Sequence, residues 1–447
     1  MKILLRKLIP KKLKNILHLF YAWYGAFKYG NPSEELLVIG VTGTTGKSST
    51  IHFLRQMLED QGYKVGSLST VDFYIAGQEK LNDQKMTMLG KMQIQEYLRK
   101  MVNAKCDIAI VETTSEGYLQ FRHRFINYDM MILTGLYPEH IESHGGFENY
   151  KVAKLGIFGY ASSHKSKVIS QKSILKVAIV NGNCKYAEEF LQFNFDKKIV
   201  FSRDDQKLEL TNKYLSSIIY HLSANDIKAS SSGLNFTVGQ RVFIPKLYGE
   251  YNVMNLLAGI SVLRVLDISW SDIEESVNKV KPAPGRLEFI SEAEEKGFKV
   301  IVDYAFEPVA LEGLYSVVKL INPKRVIHVC GSTGGGRDKA RREKIGRLVG
   351  EQADVFIVTN EDPYDEDPME IIKQVSAGAK AVGKKINKNL FEVLDRGEAI
   401  AQALKMAETG DLVLITGKGS EQAMCVAGGK MIPWDDREVA RGFLKVN

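Results

Sequence analysis

The sequence predicts an α/β protein with two main units: a P-loop central domain with a mostly parallel sheet, and a C-terminal Rossmann-like α/β domain. Three observations carry this. Short apolar runs alternate with segments of helical periodicity from Leu36 to about Val180, and again after Gly285. A Gly-rich turn follows the first apolar run and opens a helical pattern. Between the halves, Lys281-Pro282-Ala283-Pro284-Gly285 breaks regular structure and reads as a hinge.

The 447 residues suffice for two or three domains, and 45% hydrophobic with 25% charged residues is an ordinary globular balance. The net charge of +7 owes much to Lys2, Arg6, Lys7, Lys11, Lys12 and Lys14, which occur with no acid among them. The rest is nearly balanced, which gives no argument for nucleic acid as a partner. Cys106, Cys184, Cys330 and Cys425 are widely spaced and form no C-x-x-C pair, so a zinc ribbon or disulfide framework is not expected. A reducing cytoplasm fits this usage.

Residues 1–35 form a basic and aromatic leader. Its apolar run, Ile16–Phe27, is too short for a bilayer span of about twenty residues. Basic residues followed by Leu17, Phe20, Tyr21, Trp23, Tyr24 and Phe27 fit an interfacial helix in peripheral membrane contact through residues 1–30. A helix packed on the protein's own body fits equally, and both readings stay open here.

Residues 36–284 make the central domain. Leu36–Val41, Ile108–Val111, Met130–Leu133 and Val177–Val180 read as buried parallel strands. Ile51, Leu54, Met57 and Leu58 recur at helical spacing after the first of them. Near 195–247 the segments shorten and gain β-branched and polar residues, which predicts a small β-rich part. Tyr251–Val265 reads as a helix. In residues 285–447, Lys299–Val302, Arg325–Val329, Val355–Thr359 and Asp411–Thr416 read as strands with helices between them.

Gly43-Thr44-Thr45-Gly46-Lys47-Ser48-Ser49 sits between a predicted strand and a predicted helix, the context a phosphate-binding loop needs. Backbone N–H groups freed by the glycines would face phosphate oxygens, Lys47 would meet the β- and γ-phosphates, and Ser48 would offer a hydroxyl to Mg²⁺. Val41 lies where the usual motif has its first Gly. Glu112 ends a parallel strand, where an open sheet delivers functional residues and a carboxylate is placed for Mg²⁺. His140 and His144, four apart, follow the Met130–Leu133 strand but lack the helix-borne zinc order.

Taken in order, Gly43–Ser49, Glu112, His140 and Tyr150-Lys151-Val152-Ala153-Lys154 resemble the Mur ligases, nearest to their UDP-N-acetylmuramoyl-tripeptide synthetase branch. The likeness runs from about Leu36 to the C-terminus, roughly nine tenths of the chain. It implies Ser48 and Glu112 as ligands of one magnesium ion and His140 of a second. Lys154 matches the lysine that the family carbamylates to support this metal site. Catalysis would then rest on Lys47, Glu112, His140 and Lys154. Thr87, Thr114, Gln120 and Arg122 match positions that hold the UDP-muramoyl substrate. Gly249, Asn252 and Asn255 match a motif near the adenine, Arg286 one that approaches the nucleotide phosphates, and Asp303 one that approaches the ribose. Arg337, Glu361, Asp362 and Glu421 fall where the amino acid binds.

Several positions depart from the family: Met88 replaces a Thr, Phe306 and Ser420 each replace a His, and Glu361-Asp362-Pro363-Tyr364 lacks the Arg that clamps diaminopimelate. The acids Asp365, Glu366 and Asp367 that follow would suit a cationic side chain, which favours a lysine-like amine over diaminopimelate. Full-length relatives begin with a UDP-binding domain, whereas about 35 residues precede the first strand here. The expected activity is ATP-dependent: a muramoyl-peptide-like carboxylate becomes an acyl phosphate, which an amino-acid amine converts to an amide, in peptidoglycan precursor synthesis. The alternatives are a folylpolyglutamate- or cyanophycin-like ligase and a non-catalytic, ATP-binding regulatory protein.

Overall fold

The computed structural model describes residues 11–84, 86–138, 144–169, 172–203, 219–230, 232–336 and 339–446. His140 and Arg337 therefore lie outside the described residues.

Apolar runs that must be covered on both faces place the first predicted strands inside an 11-stranded sheet. Its order is Arg241–Phe243, Gly233–Val238, Ile219–Ser230, Lys197–Arg203, Val177–Asn181, Met130–Leu133, Leu37–Thr42, Ile108–Glu112, Val65–Leu68, Asp72–Ile75 and Gln78–Leu81. The strands from Val65–Leu68 to Ile219–Ser230 pair in parallel, and antiparallel hairpins close both edges. The β-rich stretch near 195–247 is thus continuous with the main sheet, because Lys197–Arg203 pairs directly with Val177–Asn181.

Alternation along Leu37–Thr42 sends Leu37, Ile39 and Val41 into one core and Leu36 and Val38 into the other. The helices Lys47–Asp60 and Tyr251–Val265 cover the first face. They approach closely, since a Cβ added to Gly259 would lie 2.2 Å from Cε of Met57. The helices Lys91–Asn103 and Phe147–Ser162 cover the second.

The second sheet runs Glu288–Phe289, Lys299–Asp303, Leu412–Thr416, Val326–Cys330, Val355–Thr359 and Leu390–Val393. All pairings but the first are parallel. Together the two sheets give the mixed, largely parallel α/β architecture that the sequence predicts. At the junction, Gly285 adopts φ 60° and a Cβ there would sit 2.2 Å from the backbone N of Ser420. Gly285→Ala should lower the unfolding free energy by about 2 kcal/mol, because rigid backbone must move. An unchanged urea midpoint would contradict this close packing. Across the same junction the Tyr137 hydroxyl donates to Oε1 of Glu307 at 3.2 Å, and on its central side Gln56 and Lys281 exchange hydrogen bonds at 3.0 Å.

The leader's helix, Lys11–Lys28, packs on Lys91–Asn103 through Ala22, Gly25 and Ala26. A Cβ on Gly25 would be 3.0 Å from Cα of Met92, so small residues set this approach. Arg99 clamps the chain that follows, donating to the carbonyls of Tyr29 and Gly30 and to Glu35. Among the described residues no helix is long and apolar enough to cross a membrane.

Candidate active site

The turn after Leu37–Thr42 is shaped by close backbone contacts. A Cβ on Gly43 would lie 1.9 Å from Oγ1 of Thr134, and one on Gly46 would lie 2.6 Å from Oδ1 of Asn255. Gly46 starts the helix Lys47–Asp60 at φ 79°. The helix therefore points its free N–H groups, and its positive dipole end, at the space above the sheet's carboxyl edge.

Four side chains expected from the sequence meet there. The Ser48 hydroxyl donates to Oε2 of Glu112 at 3.0 Å, and Lys47 Nζ lies 3.9 Å from Oε1 of the same carboxylate. Lys47 Nζ also donates to the carbonyls of Gly43 (3.1 Å) and Thr44 (2.9 Å). Lys154 comes from the helix Phe147–Ser162, and its Nζ donates to the Gly43 carbonyl at 2.8 Å. Tyr150, one turn earlier, holds Oγ1 of Thr44 at 3.2 Å, while Lys154 Nζ sits 4.8 Å from the Tyr150 ring centre. This spacing explains the Tyr150…Lys154 pattern: residues four apart on a helix present one face to the loop.

Burial pushes the Lys154 amine well below its ordinary value, and the nearby Lys47 cation adds to this while Glu112 opposes it. Lys47 is also lowered, by burial first, against the pull of Glu112. A second cation beside an almost fully buried amine is an arrangement that favours neutral, nucleophilic nitrogen at Lys154.

Thr70 escaped the sequence reading. Its backbone N–H (2.8 Å) and hydroxyl (3.1 Å) both donate to Oε2 of Glu112. Its only signal was its place just past the strand Val65–Leu68, beside the strand that carries Glu112. Among the described residues no group of three or more His, Cys, Asp or Glu gathers as a metal site. Ser48 and Glu112 are the oxygen donors beside the loop that suit a hard cation.

The residues expected to meet a nucleotide lie partly in the central unit and partly in the second half. Asn255 accepts from the Thr50 hydroxyl at 3.2 Å and donates to Asn252 at 2.9 Å. Asp303 ends the strand Lys299–Asp303 and accepts from the N–H groups of Leu287 (2.6 Å) and Ala305 (2.7 Å). The Arg286 guanidinium lies 4.0 Å over the Tyr304 ring.

On the other flank, Arg122 fixes Gln120 by two hydrogen bonds, at 2.7 and 3.2 Å, and donates to the Met88 carbonyl. Met88 itself is buried against Gly117. Thr114 caps the helix Ser115–Leu119, accepting from the Gly117 N–H at 3.0 Å. Thr87 lies in the adjoining loop and is half-buried.

At the far end Glu361 and Asp362 are buried and engaged. Glu361 accepts from the Thr333 hydroxyl at 2.8 Å. Asp362 accepts from Lys418 at 3.1 Å and from the Cys425 N–H at 2.7 Å. Lys418 reaches Glu421 as well, at 2.5 Å, and Glu421 accepts from the Tyr304 hydroxyl at 3.2 Å. The acids expected to await a cation also have partners. Glu366 holds Arg342 and the Gly336 N–H, which depress its pKa to about 2. Asp365 accepts from the Gly428 N–H, and Asp367 caps the helix Pro368–Ala381.

A Gly-rich strand–loop–helix turn on one largely parallel sheet, joined through Gly285 to a second largely parallel sheet, with the Arg286 charge beside that joint bearing on Lys47 of the turn, gives the frame of a two-unit α/β enzyme. The family description "Mur ligase middle domain" matches residues 41–263, and "Mur ligase, glutamate ligase domain" matches residues 285–419. The chain is 31% identical to UDP-N-acetylmuramoyl-L-alanyl-D-glutamate--2,6-diaminopimelate ligase 1 of Clostridium acetobutylicum, covering 98% of this chain and 85% of the relative. It is 32% identical to a UDP-N-acetylmuramyl-tripeptide synthetase of a Roseiflexus species, over 93% of this chain and 80% of that one. The solved structure of a diaminopimelate ligase of the same name superposes with TM-score 0.58 at 25% identity, covering 92% and 78% of the two chains. Mycobacterium tuberculosis folylpolyglutamate synthase shares the fold, with TM-score 0.64 at 14% identity over 95% of each chain. The chain belongs to the Mur ligase family and is an ATP-dependent C–N ligase that forms an amide bond.

Proposed function

We propose that this ligase activates a muramoyl-peptide-like carboxylate and joins it to an amino acid in peptidoglycan precursor synthesis. What supports this above all is the convergence of Lys47, Ser48, Glu112 and Lys154 at one loop. In the proposed reaction a substrate carboxylate oxygen attacks the γ-phosphorus of ATP, the bond to the β-phosphate oxygen breaks, and ADP leaves. The amine then attacks the acyl carbon, inorganic phosphate departs and the nitrogen loses a proton. Lys47 and the helix N-terminus stabilise charge on the transferred phosphoryl group. Magnesium, when bound, neutralises the phosphates that the anionic carboxylate must approach.

Ser48 and Glu112 take the first magnesium ion in this reading, and His140 the second. Lys154 serves as the carbamate that supports them; its neutral amine would attack CO₂ and lose a proton. Thr44, Thr45, Gly46, Ser49, Asn252, Arg286 and Asp303 bind the nucleotide. Thr87, Thr114, Gln120 and Arg122 bind the acyl substrate. Arg337 and Glu421 take the role of binding the amino acid, and Glu361 and Asp362 position that pocket by fixing Thr333 and Lys418. For the amine we retain the lysine-like preference. Its support is now the missing arginine in Glu361–Tyr364 alone, because Asp365, Glu366 and Asp367 are already engaged. The enzyme acts in the cytoplasm, in peripheral contact with a membrane through residues 1–30.

ADP release across a matrix of muramoyl-peptide acceptors and amino acids tests this. Release should require both partners, and lysine or ornithine should outpace diaminopimelate by about tenfold or more, the scale of one lost charged contact. A panel in which only diaminopimelate reacts would overturn the amine assignment. Release that needs neither partner would point to a nucleotide-binding regulator, and glutamate addition to a pteridine acceptor would point to the folylpolyglutamate-like alternative.

A further inference from the structure

The leader's helix has two unlike faces. Ala22, Gly25 and Ala26 lie against Lys91–Asn103, and the opposite side is apolar and open. Ile16 is 64% exposed, Phe20 51% and Phe27 68%, with Leu17, Trp23 and Tyr24 beside them. These positions recur at three- and four-residue spacing, so they form one stripe along the helix. Their rings stack lengthwise: Phe20 on Tyr24 at 6.2 Å and Trp23 on Phe27 at 5.7 Å between centres. A row of large exposed apolar side chains on one helix marks a docking surface.

We infer that this stripe lies on an anionic lipid surface and holds the acyl-substrate flank of the enzyme against it. The occupant follows from chemistry. Lys11–Lys28 contains no acid, carries Lys11, Lys12, Lys14 and Lys28, and follows Lys2, Arg6 and Lys7. Tryptophan, tyrosine and phenylalanine flanked by lysine match the boundary between headgroups and acyl chains. At about 1.5 Å per residue the helix spans roughly 27 Å, enough to lie flat along the surface.

The inner side of the helix shows which flank of the enzyme it adjoins. His18 shares a cationic neighbourhood with Lys14, Lys91 and Arg122. The His18 pKa is lowered by burial and then by these three cations, and Lys91 is lowered to about 8 by burial and Arg122. These contacts put the inner side of the helix beside Arg122, while the apolar stripe faces away from them. Arg122 belongs to the acyl flank only on the function proposed above, so the orientation of that flank rests on it. Membrane docking itself does not.

Sedimentation of the full chain with vesicles, in the absence of nucleotide, is the test. The protein should pellet about tenfold more strongly with mixed phosphatidylcholine–phosphatidylglycerol vesicles than with phosphatidylcholine alone, and added salt should weaken this. The triple variant Phe20→Ser, Trp23→Ser, Phe27→Ser should lose at least about tenfold in partitioning, with its melting temperature and its turnover of a soluble acceptor unchanged. Lys11→Gln with Lys12→Gln and Lys14→Gln should cut the preference for anionic lipid severalfold, and an unchanged preference would overturn the proposal, which keeps the idea testable if the serine variant misfolds. Wild-type protein that stays in the supernatant with anionic vesicles would overturn the proposal. So would a wild-type dimer that the serine substitutions dissociate and that does not pellet, since a second copy would then cover the stripe. Binding is read without catalysis, so a failed ligation assay leaves it standing, and failed binding leaves the ligase reading standing.

Discussion

Lys47→Ala is expected to lower kcat by at least about 10³-fold while leaving the folded protein as stable as wild type, within about 1 kcal/mol. The two halves of this prediction have separate causes. In catalysis Lys47 is the cation nearest the proposed phosphoryl position, with Nζ inside the loop and 3.9 Å from Glu112. In folding it brings little, since burial disfavours its charge and that charge also bears on the buried Lys154 amine. Removing it gives up a 3.9 Å ion pair but leaves Glu112 with the hydrogen bonds from Ser48 and Thr70. Steady-state ADP release and thermal unfolding, measured side by side, check both halves. Turnover near the wild-type rate would remove Lys47 from the mechanism; a large loss of stability would make it a structural residue.

Lys154→Ala should be nearly as damaging, by about 10²- to 10³-fold in kcat, and the defect should have a distinctive dependence on CO₂ and pH. A carbamate forms only on neutral amine. The amine's pKa is held well below the ordinary lysine value by burial, Lys47 and its low-dielectric surroundings. The neutral form is therefore present above that lowered pKa, and the modification and activity are lost as pH falls through it. Wild-type activity should drop in CO₂-depleted buffer and return with bicarbonate. The Lys154→Ala variant should be indifferent to bicarbonate and gain some rate from a short carboxylate such as acetate. A carbamate carbon signal from ¹³C-bicarbonate, absent in the variant, is the direct readout. Activity in wild type that ignores both CO₂ removal and falling pH would sink the carbamate assignment.

Much of the fold was legible because it is local. Met130–Leu133, Val355–Thr359 and Tyr251–Val265 have the bounds the sequence predicts, since continuous apolar character marks buried elements within a few residues. Gly43–Ser49 was legible for the same reason: glycines permit the turn, and the strand before and helix after it are periodic. The continuity of the β-rich stretch with the main sheet was not, because strand pairing at an edge depends on residues far away in the chain.

By itself, then, the sequence determined the alternation of strands and helices, the Gly-rich turn between the first strand and its helix, the Pro-Gly break between the two halves and the order of the family's motifs. Tertiary structure alone decided the electrostatics. It brought Thr70 to Glu112 and set Lys154 over the Gly43 carbonyl. It also engaged the acids at 365–367 within the protein and turned the leader's aromatic face outward. The physical reason is range. Backbone preference and apolar periodicity act over a few neighbouring residues, whereas the state of a charged side chain is set by whatever distant segments fold against it.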